Sequence, residues 1–110
     1  GFVSHLGTNS LKEVLKRISE GDDYAKLVYD AMILQISKWI GIMAVVLKGD
    51  IDGIILTGGM ANSENVVQDI TGYVKFLAPI FVVAGEFEMK ALMEGALRVL
   101  KGEEKPKEYV

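Results

Sequence analysis

Two glycines follow a short aliphatic run near the middle of the chain, within the segment Ile54-Ile55-Leu56-Thr57-Gly58-Gly59-Met60-Ala61-Asn62-Ser63. The aliphatic run is typical of a buried strand, and Asn62 or Ser63 can cap a helix that follows it. Glycines at such a junction let the main chain approach a ligand closely, because they carry no Cβ. Ligands of open α/β sheets lie beyond the carboxyl ends of the strands. The segment therefore indicates either a ligand-binding loop or a tight strand-to-helix turn without a ligand.

The residues after the two glycines exclude two common phosphate-binding motifs. A Walker A loop needs lysine and then serine or threonine after its glycines, and the dinucleotide fingerprint needs a third glycine at fixed spacing. Here Gly58-Gly59 is followed by Met60 and Ala61. The residues by themselves thus leave the ligand of this loop open.

Few other residues are suited to acid–base or metal chemistry. Histidine titrates near neutrality, but His5 has no obvious carboxylate partner, so catalysis is its less favoured interpretation. Glu86 and Glu88 resemble a pair of carboxylates, yet Glu88 suits the start of a helix, where negative charge is favourable. With no cysteine and one histidine, thiolate sites and helical histidine pairs are excluded. We therefore predict no catalytic residue and no metal site within this chain.

A capping box predicts the start of the first helix. Ser10 and Glu13 have the required spacing, so the helix should begin at Leu11. It should end near Ser19, with Gly21 just beyond, where a left-handed conformation favours glycine.

The second predicted helix is the longest element. Asp22 or Asp23 can cap it, and it should span Tyr24–Lys48. From Ile36 onward it is apolar nearly all round, which predicts burial on several sides. The most apolar stretch, Trp39–Leu47, is too short to cross a bilayer and is bracketed by lysines. Its simplest interpretation is a core helix, and an oligomer interface is the alternative.

The order of the predicted elements indicates an α/β fold with a mostly parallel sheet flanked by helices. The run Ile54-Ile55-Leu56 further predicts a strand covered on both faces. In order, the elements are a strand at Phe2–Leu6, helices at about Leu11–Ser19 and Tyr24–Lys48, a strand at Ile51–Thr57, a helix ending near Lys75, a strand at Ala78–Val83, a helix at Glu88–Leu100 and a loose charged tail at 103–110.

Bulk composition narrows the class of partner. Half of the 110 residues are hydrophobic and a quarter are charged, as in globular domains. The net charge is −3 and the cations are scattered, which argues against nucleic acid because that partner needs a clustered basic face. No secretory signal pattern is visible, which favours a cytoplasmic protein that does not associate with membranes. The missing initiator methionine indicates a fragment only weakly.

Seven blocks of residues stand out along the chain. They are His5-Leu6-Gly7-Thr8-Asn9, Asp30-Ala31-Met32, Gln35-Ile36, Ile51 to Ala61, Ala78-Pro79-Ile80, Gly85 to Met89 and Gly95 to Glu104. In this order they resemble the butyrate kinases and their branched-chain relatives, which belong to the superfamily of acetate and sugar kinases, heat-shock protein 70 and actin. Three departures from the family are serine for aspartate at Ser10, lysine for arginine at Lys12 and alanine for proline at Ala84.

The resemblance implies the carboxy-terminal, nucleotide-binding portion of a two-domain acyl kinase with an actin-like ATPase (ribonuclease H-like) fold. The complete enzyme would be a homo-oligomer that phosphorylates butanoate with ATP and Mg²⁺, and this portion alone would lack activity. Residues implied to contact the nucleotide form two segments: Thr57, Gly58, Gly59, Met60, Ala61 and Ser63 in the glycine loop, and Thr8, Asn9 and Ser10 in an earlier turn.

Two alternatives stay open at this point. The parent could be a related kinase of acetate, propionate or a branched-chain acid. The chain could also be a non-enzymatic nucleotide-binding or oligomerisation module. For Ser10, a helix cap is an equally good interpretation as a nucleotide contact.

Overall fold

The computed structural model describes residues 10–83, 85 and 88–94. The predicted strand Phe2–Leu6, the turn with Thr8 and Asn9, the end of the last helix and the charged tail lie outside these residues. The elements are α1 (Leu11–Ser19), α2 (Asp23–Val46), β1 (Ile54–Thr57), a 3₁₀ helix (Gly59–Asn62), α3 (Glu64–Val74) and β2 (Ile80–Val83), followed by helical residues 88–94.

Local capping residues fix the starts of the first two helices. The Ser10 hydroxyl accepts a hydrogen bond from the Glu13 amide at 3.3 Å, and the Asp22 carboxylate accepts one from the Ala25 amide at 3.0 Å. Between the two helices, Gly21 has a φ of 90°, a conformation that side chains rarely adopt. The predicted bounds of α1 and the predicted cap of α2 are confirmed.

The described sheet consists of β1 and β2, which run parallel with Ile54 opposite Ile80 and Thr57 opposite Val83. The Ile54 amide donates to the Pro79 carbonyl at 2.8 Å, so the pairing begins just before β2. Because the strands are parallel and joined through α3, their carboxyl ends share one edge. The α/β fold class is confirmed. β1 starts three residues later than predicted and β2 starts two residues later.

One hydrophobic core joins the helices to the sheet. α2 packs against α1 and α3, and α3 presents Val66, Ile70 and Val74 one turn apart to the core. The buried residues that form this cluster are Val14, Tyr29, Ile33, Ile54, Leu56, Val66, Val67, Ile70, Val74, Ala78 and Ile80. β1 is thereby positioned from one side, which fixes where its carboxyl end points.

The predicted burial of the second half of α2 is wrong for this chain. Trp39 is 59% exposed, and its predicted place in the core is not observed. The neighbouring large apolar residues Ile42, Met43, Val45, Val46 and Leu47 are exposed as well. Among the described residues, α1 and α3 contact α2, and they cover one of its sides. Apolar sequence predicts that a surface avoids water, but it does not say which polypeptide supplies the cover.

The prediction that β1 is covered on both faces is also wrong for this chain. Ile54 and Leu56 are buried, whereas Ile55 between them is 45% exposed. Alternate residues of a strand point to opposite faces. One face of β1 therefore meets the core and the other is open to solvent.

In the part of the chain that the structure describes, one helix is long and apolar enough to cross a membrane. It is α2, whose 24 residues include the shorter stretch Trp39–Leu47. Length and composition alone are weak grounds for a membrane span, since core helices of soluble proteins pass the same test.

Candidate functional site

The connection between β1 and α3 is built around a glycine conformation. Directly after Thr57, Gly58 has φ 76° and ψ −161°. This region of backbone space is essentially restricted to glycine. The chain then forms the 3₁₀ helix Gly59–Asn62 and enters α3. Gly58 is therefore required by the backbone of the turn, whether or not a ligand binds there.

Local hydrogen bonds hold the connection in place. The Ala61 amide donates to the Gly58 carbonyl, and the Ser63 amide donates to the Met60 carbonyl, both at 3.1 Å. The Ser63 hydroxyl caps α3 by accepting from the Val66 amide at 3.4 Å. Together with the burial of Ala61 beneath the loop, these hydrogen bonds give the loop a defined shape.

The two glycines leave open space on the outer side of the loop. Apart from its chain neighbours, a Cβ added at Gly58 or at Gly59 would meet no atom of the described residues within 4 Å. Thr57 and Met60 are exposed beside them. A ligand can therefore approach the main chain here without displacing a side chain, which fits the first of the two interpretations of this loop.

Charge near the loop is supplied by the backbone and by one acid. The amino terminus of α3 carries partial positive charge from the helix dipole, but Glu64 places a carboxylate in its first turn. No lysine or arginine lies between Lys48 and Lys75 in the sequence. This segment is thus better suited to the uncharged part of a nucleotide than to clamping its terminal phosphates.

The neighbouring strand ends at the same edge. Thr57 pairs with Val83, so the carboxyl end of β2 lies beside the carboxyl end of β1. Beyond β2, Gly85 is exposed and its carbonyl accepts a hydrogen bond from the Met89 amide at 3.0 Å. The glycine loop therefore begins at the edge of the sheet where both described strands end.

The predicted nucleotide-contacting residues are only partly brought together. Thr57, Gly58, Gly59 and Met60 form one exposed surface. The buried Ala61 can contribute its backbone, and Ser63 is partly occupied as the cap of α3. Ser10 caps α1 through Glu13, as its spacing predicts. Its contact with a nucleotide stays a prediction, and so do the contacts of Thr8 and Asn9, which lie outside the described residues.

A cleft that the sequence did not predict lies between α1, α2 and α3. The Tyr29 hydroxyl donates to the Asp69 carboxylate at 2.6 Å across this cleft. Burial, together with the hydrogen bond to Asp69, raises the pKa of Tyr29 above its ordinary value. The cleft has a volume of about 490 Å³ and is lined by Leu15, Ile18, Lys26, Tyr29, Asp30, Ile33, Asn65, Asp69 and Tyr73. Tyr29 and Asp69 are 40 positions apart, and no sequence pattern connects them.

At the rim of this cleft, Lys26 and Asp30 form an ion pair with a distance of 2.9 Å. The hydrogen bond and charge of Asp30 raise the pKa of Lys26. Both side chains are more than half exposed, so solvent screens the pair and it adds little stability. The cleft shares no lining residue with the glycine loop, and we assign it no ligand.

No group of three or more potential metal-ligating His, Cys, Asp or Glu side chains occurs in the described ranges 10–83, 85 and 88–94. The prediction that the chain itself holds no metal concerns all 110 residues and stays a prediction.

The described part of the chain is thus a parallel strand pair flanked by helices, with a glycine loop at the carboxyl end of β1. The chain belongs to the acetokinase family, whose family model matches residues 1–89. This family has the actin-like ATPase fold, which confirms the fold implied by the resemblance.

Individual relatives are similar over nearly the whole chain. The chain is 57% identical over 109 residues to probable butyrate kinase 2 of Caldanaerobacter subterraneus subsp. tengcongensis. It is 54% identical to the probable butyrate kinase of Coprothermobacter proteolyticus and 50% identical to butyrate kinase 1 of Clostridium acetobutylicum. Each match covers 99% of this chain but 31% of the relative. The chain thus spans about a third of the length of these kinases.

Proposed function

We propose that this chain is the portion of a butanoate kinase that binds the adenosine side of ATP or ADP. The observation that carries the proposal is the loop Thr57–Met60, which is exposed and held in shape at the end of β1. The similarity to butyrate kinases over 109 residues supports the choice of substrate. Its place in the carboxy-terminal third of that enzyme stays a prediction from the family resemblance.

In the proposed reaction, a carboxylate oxygen of butanoate attacks the γ-phosphorus of ATP. The bond between that phosphorus and the β–γ bridging oxygen breaks, giving butanoyl phosphate and ADP. Such a transfer depends on holding the reactants in line and on stabilising charge with cationic groups. Mg²⁺ in the complete enzyme would offset the negative charge of the phosphates, and the residues that hold it are expected to lie outside this chain.

The residues of this chain contribute binding rather than chemistry. Gly58 and Gly59 let the backbone approach the ribose and the α-phosphate, and Met60 offers an exposed apolar surface to the adenine ring. The absence of lysine and arginine between Lys48 and Lys75 means that cations for the β- and γ-phosphates come from elsewhere in the parent. The isolated chain is therefore expected to have no kinase activity.

A hybrid enzyme tests the proposal. In the Caldanaerobacter relative, this chain replaces the segment that matches it. The purified hybrid should form butanoyl phosphate from butanoate and ATP, detected as the hydroxamate after trapping with hydroxylamine. The isolated chain, assayed in parallel at the same concentration, should form none. A folded hybrid without activity, or an isolated chain with activity, would contradict the proposal.

The same assay tests whether the choice of acid is made outside this chain. Acetate, propionate and branched-chain acids serve as competing substrates for the hybrid. The names of the relatives favour butanoate, so the ratio kcat/KM should be highest for this acid. Since the acid pocket is expected to lie mostly outside this chain, the hybrid should keep the preference of the Caldanaerobacter parent.

The apolar surface on α2 favours a second candidate function, a module that associates with other protein. In that case the chain would occur naturally as an independent protein of 12.0 kDa. An intact mass near this value for the native protein would support the module, and a mass about three times larger would support the kinase.

A further inference from the structure

The second half of α2 carries two separate apolar faces. One face is buried or partly buried and includes Ile33, Ile36, Ile40 and Ala44. The other consists of Trp39, Ile42, Met43 and Val46, which we call the outer stripe. Their spacing places them on one side of the helix over two turns. Their exposed fractions are 59%, 49%, 53% and 65%.

Exposure of the outer stripe is unfavourable for a protein in water. Burying a large apolar side chain is favourable relative to leaving it exposed to water. Contiguous apolar surface of this kind marks an interface rather than a solvated face. We expect the stripe to be covered in the protein in which it functions.

We infer that the outer stripe is the surface on which the remaining polypeptide of the parent kinase packs. This inference rests on the proposed function, because it takes the chain as part of a longer enzyme. About two-thirds of each relative has no counterpart in this chain. That length is enough to supply further strands or helices over the stripe.

The exposure of β1 also indicates that the remaining polypeptide of the parent kinase packs on this chain. Ile55 is 45% exposed on the open face of the strand, although its sequence context is typical of a strand buried on both sides. In the part of the chain that the structure describes, β2 pairs with one edge of β1 and no strand pairs with the other. A helix and a strand therefore both present surfaces of the kind that the interior of a larger domain requires.

A lipid bilayer fits the stripe less well. A spanning helix needs about 20 predominantly apolar residues, but α2 contains Asp23, Lys26, Asp30 and Lys38. Nine residues separate Lys38 from Lys48. A helix lying in the interface would carry several basic residues along its polar face, and α2 has two lysines within its bounds.

A second copy of this chain also fits less well. Stable interfaces involve about 20–30 residues on each side, whereas the outer stripe has four. Packing within one larger domain needs no such minimum, because the contacting elements are joined by the chain.

The test is the substitution Met43→Lys in two contexts. In the isolated chain, Met43 is half-exposed and lysine has a similar helix propensity, so the thermal midpoint should stay the same. In the hybrid with the Caldanaerobacter relative, the lysine should enter a covered apolar surface. The midpoint there should fall by about 5 °C or more, with loss of soluble protein.

Met43→Leu is the matched control, because it keeps an apolar side chain of similar size. It should leave the midpoint unchanged in both contexts. Should the unsubstituted hybrid not fold, the lysine is introduced at the position aligned with Met43 in the intact Caldanaerobacter relative, with the same expectation. The measured quantity is the thermal midpoint and not activity. A hybrid that folds but lacks activity would contradict the proposed function, and its thermal midpoint would still test this inference.

Several outcomes would overturn the inference. An unchanged midpoint in the full-length context would mean that the stripe faces solvent there. An equal fall in the isolated chain would mean that this chain covers the stripe itself. Dissociation of an oligomer into equally stable monomers would assign the stripe to a second copy. Co-sedimentation of the hybrid with phospholipid vesicles, abolished by Met43→Lys, would assign it to a membrane.

Discussion

The glycine loop after β1 and the outer stripe of α2 are both exposed, but for different reasons. Hydrogen bonds of the loop are made within it, between Gly58 and Ala61 and between Met60 and Ser63. Its exposed surface consists of backbone and the side chains of Thr57 and Met60. The outer stripe is regular helix whose exposed surface is made of Trp39 and aliphatic or thioether side chains. The loop is complete by itself, whereas the stripe lacks a cover.

An exposed surface can therefore serve one of two functions, ligand binding or packing on other protein. A loop that is ordered by its own contacts and open toward solvent is preorganised for a ligand. An apolar helix face that is open toward solvent is unfavourable until it packs on protein. We therefore propose that the loop binds the ligand and that the stripe serves assembly of the domain.

The largest expected effect on the isolated chain comes from Gly58→Ala. Alanine is strained at φ 76° and ψ −161°, so the free energy of unfolding should fall by about 1–3 kcal/mol. The measurement is chemical denaturation followed by circular dichroism. It tests whether the shape of the loop is set by the chain alone.

Gly59→Ala is the control for this comparison. A Cβ at Gly59 would meet no atom of the described residues beyond its chain neighbours within 4 Å, and the φ of Gly59 is not in the left-handed region. Stability should therefore be unchanged. A nucleotide seated on the loop would, however, meet the added methyl group, and ADP affinity should fall. Equal destabilisation by both substitutions would contradict the assignment of backbone strain to Gly58.

A smaller effect on stability is expected at the hydrogen bond between the first half of α2 and α3. Tyr29→Phe removes the hydrogen bond to Asp69, which should lower the free energy of unfolding by about 1.5 kcal/mol. Asp69→Asn keeps a hydrogen-bond acceptor, so it should lower the free energy of unfolding by less than Tyr29→Phe does. A cost near zero for Tyr29→Phe would mean that this half of α2 is held no more firmly than the half with the outer stripe.

The same variant changes the pH dependence of stability. The pKa of Tyr29 is raised in the folded chain, so its contribution is complete below the ordinary value of 10.0 and is lost as pH rises above it. With phenylalanine in place of Tyr29, the loss of stability above pH 10.0 should be shallower. The comparison is made between denaturation midpoints below and above that pH.

Local signals made the helix starts predictable. Ser10 and Asp22 cap α1 and α2 because each bonds an amide three residues ahead. The start of β1 was less predictable, because pairing of the Ile54 amide with the Pro79 carbonyl fixes it. Gly53 shows a similar dependence on distant residues. A Cβ there would lie 2.7 Å from the ring of Phe81, which local sequence does not reveal.

The candidate site was predictable to the same limited extent. The two glycines between a strand and a helix indicated the loop, and the structure gives Gly58 its conformational reason. The family resemblance, not the spacing, supplied the nucleotide. Burial of Trp39 could not be predicted correctly, since hydropathy is the same whether the cover lies within this chain or beyond it. The contact between Tyr29 and Asp69 depends on how α2 and α3 pack.

The most direct test of the central claim is a titration of the isolated chain with ADP, followed by the backbone amide signals in NMR. We predict localised shifts at Gly58, Gly59 and the residues of the following 3₁₀ helix, with the outer stripe of α2 unaffected. A well-dispersed spectrum that does not change on addition of ADP would contradict the claim that the adenosine half of the site is preformed in this chain.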